Sequence, residues 1–266
     1  MAKTGNEVWA AGDAYEPYVG RWSRLVARHF LEWLSVPRGA TWLDVGCGAG
    51  ALTQTVIERA APHRVVGIDP SEGFLGLART RCAAGPAQFV HGDAQALPFA
   101  DDSFGAVVSG LVLNFVPDPA KALREMARVA APGGCVAVYV WDYAGEMQLI
   151  RRFWDEAVAL DPSARDLDEG RRFPMCAPDR LRQLFADTGL GAIDGTAIDV
   201  PTVFKDFDDY WSPFLGGQGP APGYCMALDS GRRERLRERL RATLPIGANG
   251  SIRLIARAFA ARGKAT

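Results

Sequence analysis

At 266 residues, with 48% hydrophobic and 23% charged side chains, the chain has an ordinary globular composition that supports a sizeable core. Its 30 Lys and Arg against 31 Asp and Glu leave a net charge of −1, so no global field draws it to nucleic acid or to an anionic membrane. No signal-peptide pattern or bilayer-length apolar run is present, and the 5 cysteines are scattered without a C-x-x-C pair. The expectation is a cytoplasmic protein with reduced thiols, no resident metal and no membrane span.

Residues 1–17 carry no period. From Trp22 the apolar positions Trp22, Leu25, Val26, His29, Phe30 and Trp33 predict an amphipathic helix, stopped at Val36-Pro37-Arg38-Gly39, with His29 turned to the core. Tyr15, Tyr18 and Arg21 lie at its mouth. The stretch Leu43-Asp44-Val45-Gly46-Cys47-Gly48-Ala49-Gly50 then reads as a strand, a glycine turn and a helix start. Glycines there let a ligand lie against bare backbone at a partly positive helix N-terminus. Asp44 at the turn would repel a pyrophosphate but suits a ligand carrying an ammonium and a sulfonium.

Strands follow at 64–68, 87–90, 104–109 and 135–141, with helices at 50–60, 72–82 and after Asp118-Pro119, whose Asp is an N-cap and whose Pro suits a first turn. The second strand ends in Asp69, where a carboxylate can accept both hydroxyls of a ribose. Five β/α alternations predict a doubly wound α/β sheet with its ligand beyond the strands' carboxyl ends, where Asp44, Asp69, Asp93 and the Ser109–Asn114 segment fall.

Four motifs in order carry a family resemblance: the glycine turn ending in Gly50, His91-Gly92-Asp93-Ala94 through Pro98-Phe99, Asp101-Asp102-Ser103-Phe104, and Ala131-Pro132-Gly133-Gly134. Over residues 41–142 the chain resembles the class I S-adenosylmethionine-dependent methyltransferases, in the broad small-molecule subgroup that includes the ubiquinone and menaquinone methyltransferases. The resemblance implies a Rossmann-like seven-stranded sheet with an antiparallel last strand, and an α-helical cap from the N-terminus and insertions. It assigns the Gly46–Gly50 backbone to the methionine half of S-adenosyl-L-methionine, with Asp44, Gly46, Cys47 and Gly48 as cofactor-binding residues. Asp69 goes to the ribose and Asp93, helped by the Ala94 backbone, to the adenine amino group, with Pro70 and Ser109 as further cofactor-binding candidates. Tyr18 or Arg21 would meet the methionine carboxylate.

The domain reading is a lid at 1–36 and a methyltransferase domain at 37–266 with cap insertions at 143–176 and 201–249. Residues 161–176 read as a polar loop, and 191–200 and 251–260 as the last strands. Phe207, Tyr210, Trp211 and Phe214 recur at helical spacing, and the glycine- and proline-rich run from Gly216 to Tyr224 suits a loop around a pocket mouth. Tyr210, Trp211 and Tyr224 are therefore candidates to line an acceptor pocket, since a ring with a polar handle can wall and orient a small, partly apolar molecule. Asp142 and Tyr143 are candidates for a general base, although the methyl group arrives activated and many acceptors need none. The basic run Arg232 to Arg241 keeps an apolar face at Leu236 and Leu240 and reads as a solvated helix rather than a nucleic-acid patch.

Two other readings stay open. An NAD-dependent oxidoreductase would use the same G-x-G-x-x-A turn and Asp69, but leaves Asp44 and the Gly-Asp-Ala and Pro-Gly-Gly segments without a role, and no Tyr-x-x-x-Lys pair accompanies it. A non-catalytic S-adenosylmethionine-binding regulator would share every cofactor residue.

Overall fold

A computed structural model describes residues 16–217 and 219–266. The first helix, α1, runs Arg21–Leu34 behind a single π-helical turn at Glu16–Gly20. The alternating core follows in chain order as β1 Thr41–Val45, α2 Ala51–Ala60, β2 Arg64–Asp69, α3 Glu72–Arg81, β3 Ala87–His91, β4 Phe104–Gly110, α4 Pro119–Val129 and β5 Ala130–Trp141. Next come α5 Gln148–Leu160, the short α6 Glu169–Arg172, α7 Pro178–Ala186, β6 Gly191–Phe204, α8 Phe207–Trp211, α9 Pro220–Ala227, α10 Ser230–Thr243 and β7 Ile252–Lys264.

The seven strands form one sheet in the order β3-β2-β1-β4-β5-β7-β6. β1 pairs in parallel with β2 and β4, β2 with β3 and β4 with β5, while β7 runs antiparallel to β5. The chain thus winds outward from β1 to β3, then returns to lay β4 on the other side of β1. That reversal opens a crevice between the carboxyl ends of β1 and β4. Val107 and Val108 of β4 and Val136 to Val138 of β5 are fully buried, as in parallel strands covered on both faces.

Local signals set the helix ends. Asp118 accepts the Lys121 N–H at 2.9 Å with Pro119 in the first turn, as the Asp-Pro pair predicts. Ser71 caps α3 through the Phe74 N–H. α1 packs Phe30 on Tyr139 at 4.6 Å, and Arg262 donates to the carbonyls of Trp33 and Leu34 at the helix's negative end. His29 departs from its expected place. It is exposed and pairs with Glu32 at 3.2 Å, because α1 turns Ala27 and Phe30 inward instead.

Three stretches differ from their sequence reading. Pro132-Gly133-Gly134 lies inside an extended β5, where the β4–β5 register shifts between Phe104 and Ala106, and Gly133 takes φ 72°. The polar stretch 161–176 contains a 3₁₀ turn at Pro162–Leu167 and α6, capped by Asp161 and Asp168. The expected loop at 216–224 becomes helical from Pro220. A proline suits the first turn, and burial of Ala221, Pro222 and Cys225 outweighs the glycine content.

The described chain divides into two compact units. The first contains the described residues up to Trp22, Asp142–Pro174 and Asp199–Arg257; the second contains Ser23–Trp141, Met175–Ile198 and Ala258–Thr266. Unit 2 holds β1 to β5. Unit 1 is built on aromatic packing, with Phe153 stacked on Phe214 at 4.4 Å and Phe204 edge-on to Tyr210 at 5.3 Å.

Candidate functional site

In unit 2 the turn after β1 hangs from β2, because the N–H groups of Gly46 and Cys47 both donate to the Ile68 carbonyl, at 2.8 and 3.0 Å. Its three glycines all have positive φ, but for different physical ends. A Cβ on Gly46 would overlap the Val112 side chain, and one on Gly50 would lie 3.1 Å from the Ala78 methyl. A Cβ on Gly48 would meet nothing within 4 Å. Gly46 and Gly50 therefore serve backbone shape and packing, and Gly48 alone of the three turns bare backbone to open space. Gly48→Ala is expected to lower stability by only about 1–2 kcal/mol, the left-handed strain alone. Gly46→Ala adds overpacking and should lose about 2–5 kcal/mol. Equal urea midpoints for the two variants would contradict this division.

Asp69, at the end of β2, is 7% exposed, and each of its oxygens is already engaged. Oδ2 accepts the Gly48 N–H and Oδ1 the Ser71 N–H, both at 2.9 Å. The carboxylate is thus a clamp joining the glycine turn to the start of α3, a role that sequence reading missed. Each oxygen keeps a second lone pair for a ligand hydroxyl. Burial pushes its carboxyl up from the usual range, and the two N–H donors oppose that.

Asp44 is 1% exposed on β1. Thr53 Oγ1 donates to its Oδ2 at 2.6 Å, while Oδ1 is buried without a hydrogen-bond partner. Burial pushes this carboxyl up to about 7, with Asp69 adding to the rise and the Thr53 hydrogen bond opposing it. A buried acceptor left without a donor costs about 1–3 kcal/mol, and a cationic ligand group would remove that cost. Cys47 is buried beside it, and burial raises its thiol well above the ordinary value, which suits a packing residue rather than a nucleophile.

Asp93 is exposed, its Oδ1 accepting the Gln95 N–H at 2.8 Å in a tight turn, with Ala94 half-buried next to it. The exposed Pro70 offers its carbonyl to His91 Nε2 at 3.0 Å. Arg128 ties this motif loop down, donating to the carbonyls of Leu97 and Phe99 and to Asp101, and Glu125 accepts the Leu97 N–H. Ser109 is 2% exposed and registers with Val138. Beyond it, Leu111 takes φ 63°, an uncommon conformation for a branched residue, and leads into a 3₁₀ turn at Leu113–Phe115. Asn114 in that turn is 8% exposed, yet neither end of its amide has a hydrogen-bond partner. Sequence reading placed this segment at the site without singling out Asn114. Its signal was a lone amide inside an apolar run at a strand's carboxyl end.

The remaining predicted residues lie in unit 1, except Tyr15, which falls outside the described residues. Tyr18 is buried, its ring edge-on to Phe214 at 5.7 Å and its hydroxyl without a partner. Arg21 is already paired: one terminal nitrogen donates to Asp209 at 3.0 Å, and the guanidinium lies over Trp22 and Phe204 at 4.4 and 4.8 Å. Its Nε and other terminal nitrogen are buried without partners. Asp142 accepts the Glu146 N–H at 2.9 Å in the turn before α5, and Tyr143 packs near Phe173. Tyr210 is fully buried and its hydroxyl donates to the Leu149 carbonyl at 3.0 Å, so its polar end is engaged inside the fold. Trp211 lies parallel to Phe207 at 6.5 Å. Tyr224 is half-buried and lines a cavity. Glu169, which nothing in its polar surroundings singled out, is 1% exposed and accepts a hydrogen bond from Trp154 Nε1. Burial pushes its carboxyl up to about 7.

A family model described as a methyltransferase domain matches residues 43–138, from β1 into β5. The 2-phytyl-1,4-naphtoquinone methyltransferase of Thermosynechococcus vestitus is 42% identical over 110 residues, 41% of this chain and 49% of that protein. The chain spans about half the length of the first such relatives it matches. It covers more of the demethylmenaquinone methyltransferase of Staphylococcus aureus, at 43% identity over 174 residues, 61% of this chain and 72% of the relative. The solved structure of the YcgJ protein from Bacillus subtilis shares the fold, with a TM-score of 0.60 at 18% identity over 90% of this chain and 97% of that one. A strand order reversing between β1 and β4, an acid-flanked glycine turn at that reversal and a relative matched over most of its length lead to one family: the chain belongs to the class I S-adenosylmethionine-dependent methyltransferases and is similar there to the quinone methyltransferases.

Proposed function

We propose that this chain binds S-adenosyl-L-methionine at the carboxyl ends of β1, β2 and β4 and transfers its methyl group to a small, partly apolar acceptor by in-line displacement. The observation that carries the reading is Asp44, a buried carboxyl with one oxygen lacking a donor, beside a glycine turn that is open only at Gly48. That donor set fits a ligand bearing a cationic amino-acid end and does not fit a pyrophosphate. Asp44 and the backbone around Gly48 would hold the methionine half, Asp69 and Pro70 the ribose, Asp93 and Ala94 the adenine edge, and Ser109 and Asn114 the space between cofactor and acceptor. When bound, the cofactor supplies an activated methyl group, so the protein's own contribution is orientation and exclusion of water.

The segments 1–36, 143–176 and 201–249 belong to the same proposal as the source of acceptor-binding residues. A small molecule is favoured over nucleic acid because the arginines of α10 are largely engaged: Arg237 pairs with Glu234 and Asp208, and Arg239 with Glu156. Among the described residues no helix is long and apolar enough to cross a membrane. The five cysteines are free and buried, which suits a reducing, cytoplasmic setting.

Calorimetric titration with S-adenosylmethionine, S-adenosylhomocysteine and NAD tests the reading. The first two are expected to bind at micromolar concentration or tighter, and NAD not at all. Asp69→Ala should lose about 1.5–3 kcal/mol for each charged hydrogen bond removed, with a separate loss of thermal stability because the clamp between Gly48 and Ser71 is gone. Unchanged cofactor affinity in a folded Asp69→Ala protein would overturn the ribose assignment.

A further inference from the structure

Unit 1 contains a cavity of about 350 Å³, at the lower end of the range of small-molecule pockets, roughly 300–1,000 Å³. Its apolar lining comes from two helices, with Leu160 from α5 and Leu236 from α10 joined by Leu228 just before α10. Its polar lining is Tyr224, Asp161, Arg232 and Arg235. The charge arrangement is specific. Within α10 the neighbouring arginines have protein partners: Arg233 donates to the carbonyls of Cys225, Met226 and Leu228, Arg239 pairs with Glu156, and Arg237 with Glu234. Arg235 has no hydrogen bond or ion pair among the described residues, while Arg232 pairs with the exposed Asp229 at 3.5 Å and its charge also helps to hold the Asp161 carboxyl down.

Asp161 is the opposing charge. Its Oδ1 accepts both the N–H and the hydroxyl of Ser163, at 3.0 and 2.6 Å, and these bonds hold the carboxyl below its usual range, so it stays ionised at neutral pH. With Arg232 shared between Asp229 and Asp161, the uncompensated charge at the lining is the guanidinium of Arg235. One uncompensated guanidinium fits a monoanion and repels a cation, and the second charge of a phosphate dianion would face the ionised Asp161. The apolar walls call for an apolar body on the same molecule.

We propose that this cavity binds a small amphipathic monocarboxylic acid, its hydrocarbon or aromatic body against Leu160, Leu228 and Leu236 and its carboxylate between Arg232 and Arg235. The site is independent of the cofactor reading, since none of its residues belongs to the glycine turn or the strand ends of unit 2. Guanidinium–carboxylate pairing is directional and charge-assisted, so the acid group sets specificity and the walls supply affinity.

The test uses the full chain with octanoate and 3-phenylpropanoate as probes, and octanol, octylamine and octyl phosphate as matched controls. Binding is followed by calorimetry and by tryptophan fluorescence, because the Tyr224 ring lies 5.4 Å from Trp154. Both acids are expected to bind with submillimolar affinity, octanol and octyl phosphate at least ten-fold more weakly, and octylamine not at all. Arg235→Glu, at an exposed position without a partner, should weaken the acids ten-fold or more. Circular dichroism and S-adenosylhomocysteine affinity should stay unchanged in that variant, which separates failure here from failure of the methyl-transfer reading. Equal binding of octanoate and octanol, tighter binding of octyl phosphate, or acid affinity unaltered in Arg235→Glu would each overturn the assignment.

Discussion

Replacing Asp44 by Asn is expected to flatten the fall in stability that the ligand-free protein shows as pH rises from about 4 to about 7. Burial raises this carboxyl from 3.8 to about 7 in the fold, so the folded state holds a proton over that window which the unfolded chain has released. The group's contribution is therefore complete below pH 4 and is lost as pH climbs through 7. A shift of roughly three units corresponds to about 4 kcal/mol at most. Asn cannot ionise, so the variant lacks the slope. Its absolute stability gains less, because the side-chain N–H beside the former Oδ1 position would cost about 1–3 kcal/mol without a partner. Urea denaturation at half-unit pH steps measures the difference, and parallel curves for the two proteins would refute it.

The same variant should lose cofactor affinity, so one substitution would steady the fold and weaken the ligand. On the proposed reading, a cationic ligand end near Asp44 draws its pKa down and expels the proton at pH 6.5. The heat of binding should then depend on the buffer's ionisation enthalpy in the wild type and much less in Asp44→Asn.

Glu169→Gln is the second large effect. This carboxyl is raised from 4.5 to about 7, first by burial and further by Asp168, with the Trp154 hydrogen bond and Arg172 opposing the rise. Its contribution is present below pH 4.5 and lost as pH rises through 7, a difference of about 3 kcal/mol. Gln keeps an oxygen for the Trp154 N–H and carries no charge. Relative to the wild type the variant should gain about 3 kcal/mol between pH 4.5 and pH 8, starting about 1–3 kcal/mol below it because the amide N–H lacks a partner, and ending level with it or up to about 2 kcal/mol above it at pH 8. A variant less stable than the wild type at pH 8 would mean that the ionised Glu169 is compensated in the fold.

How much of this was legible in the chain depends on the range over which each feature is encoded. The order of strands and helices, the Asp118-Pro119 helix start and the glycine turn were all readable, because periodicity, capping and positive φ are properties of a few adjacent residues. Asp44, Asp69 and Asp93 could be located at strand ends for the same reason.

Other features required the fold. Asp69 clamps Gly48, Arg21 is held by Asp209, and Tyr210 donates to Leu149. Each partner lies far off in sequence and comes within reach only through tertiary packing. The helix at Pro220–Ala227 was hidden because burial of Ala221, Pro222 and Cys225 overrode a loop-like composition, and His29 is exposed because the packing of Phe30 on Tyr139 sets the rotation of α1. Asn114 and Glu169 stand in the sequence as unremarked polar residues. Burial gives them their chemistry, and burial is a property of the whole packed chain rather than of any window along it.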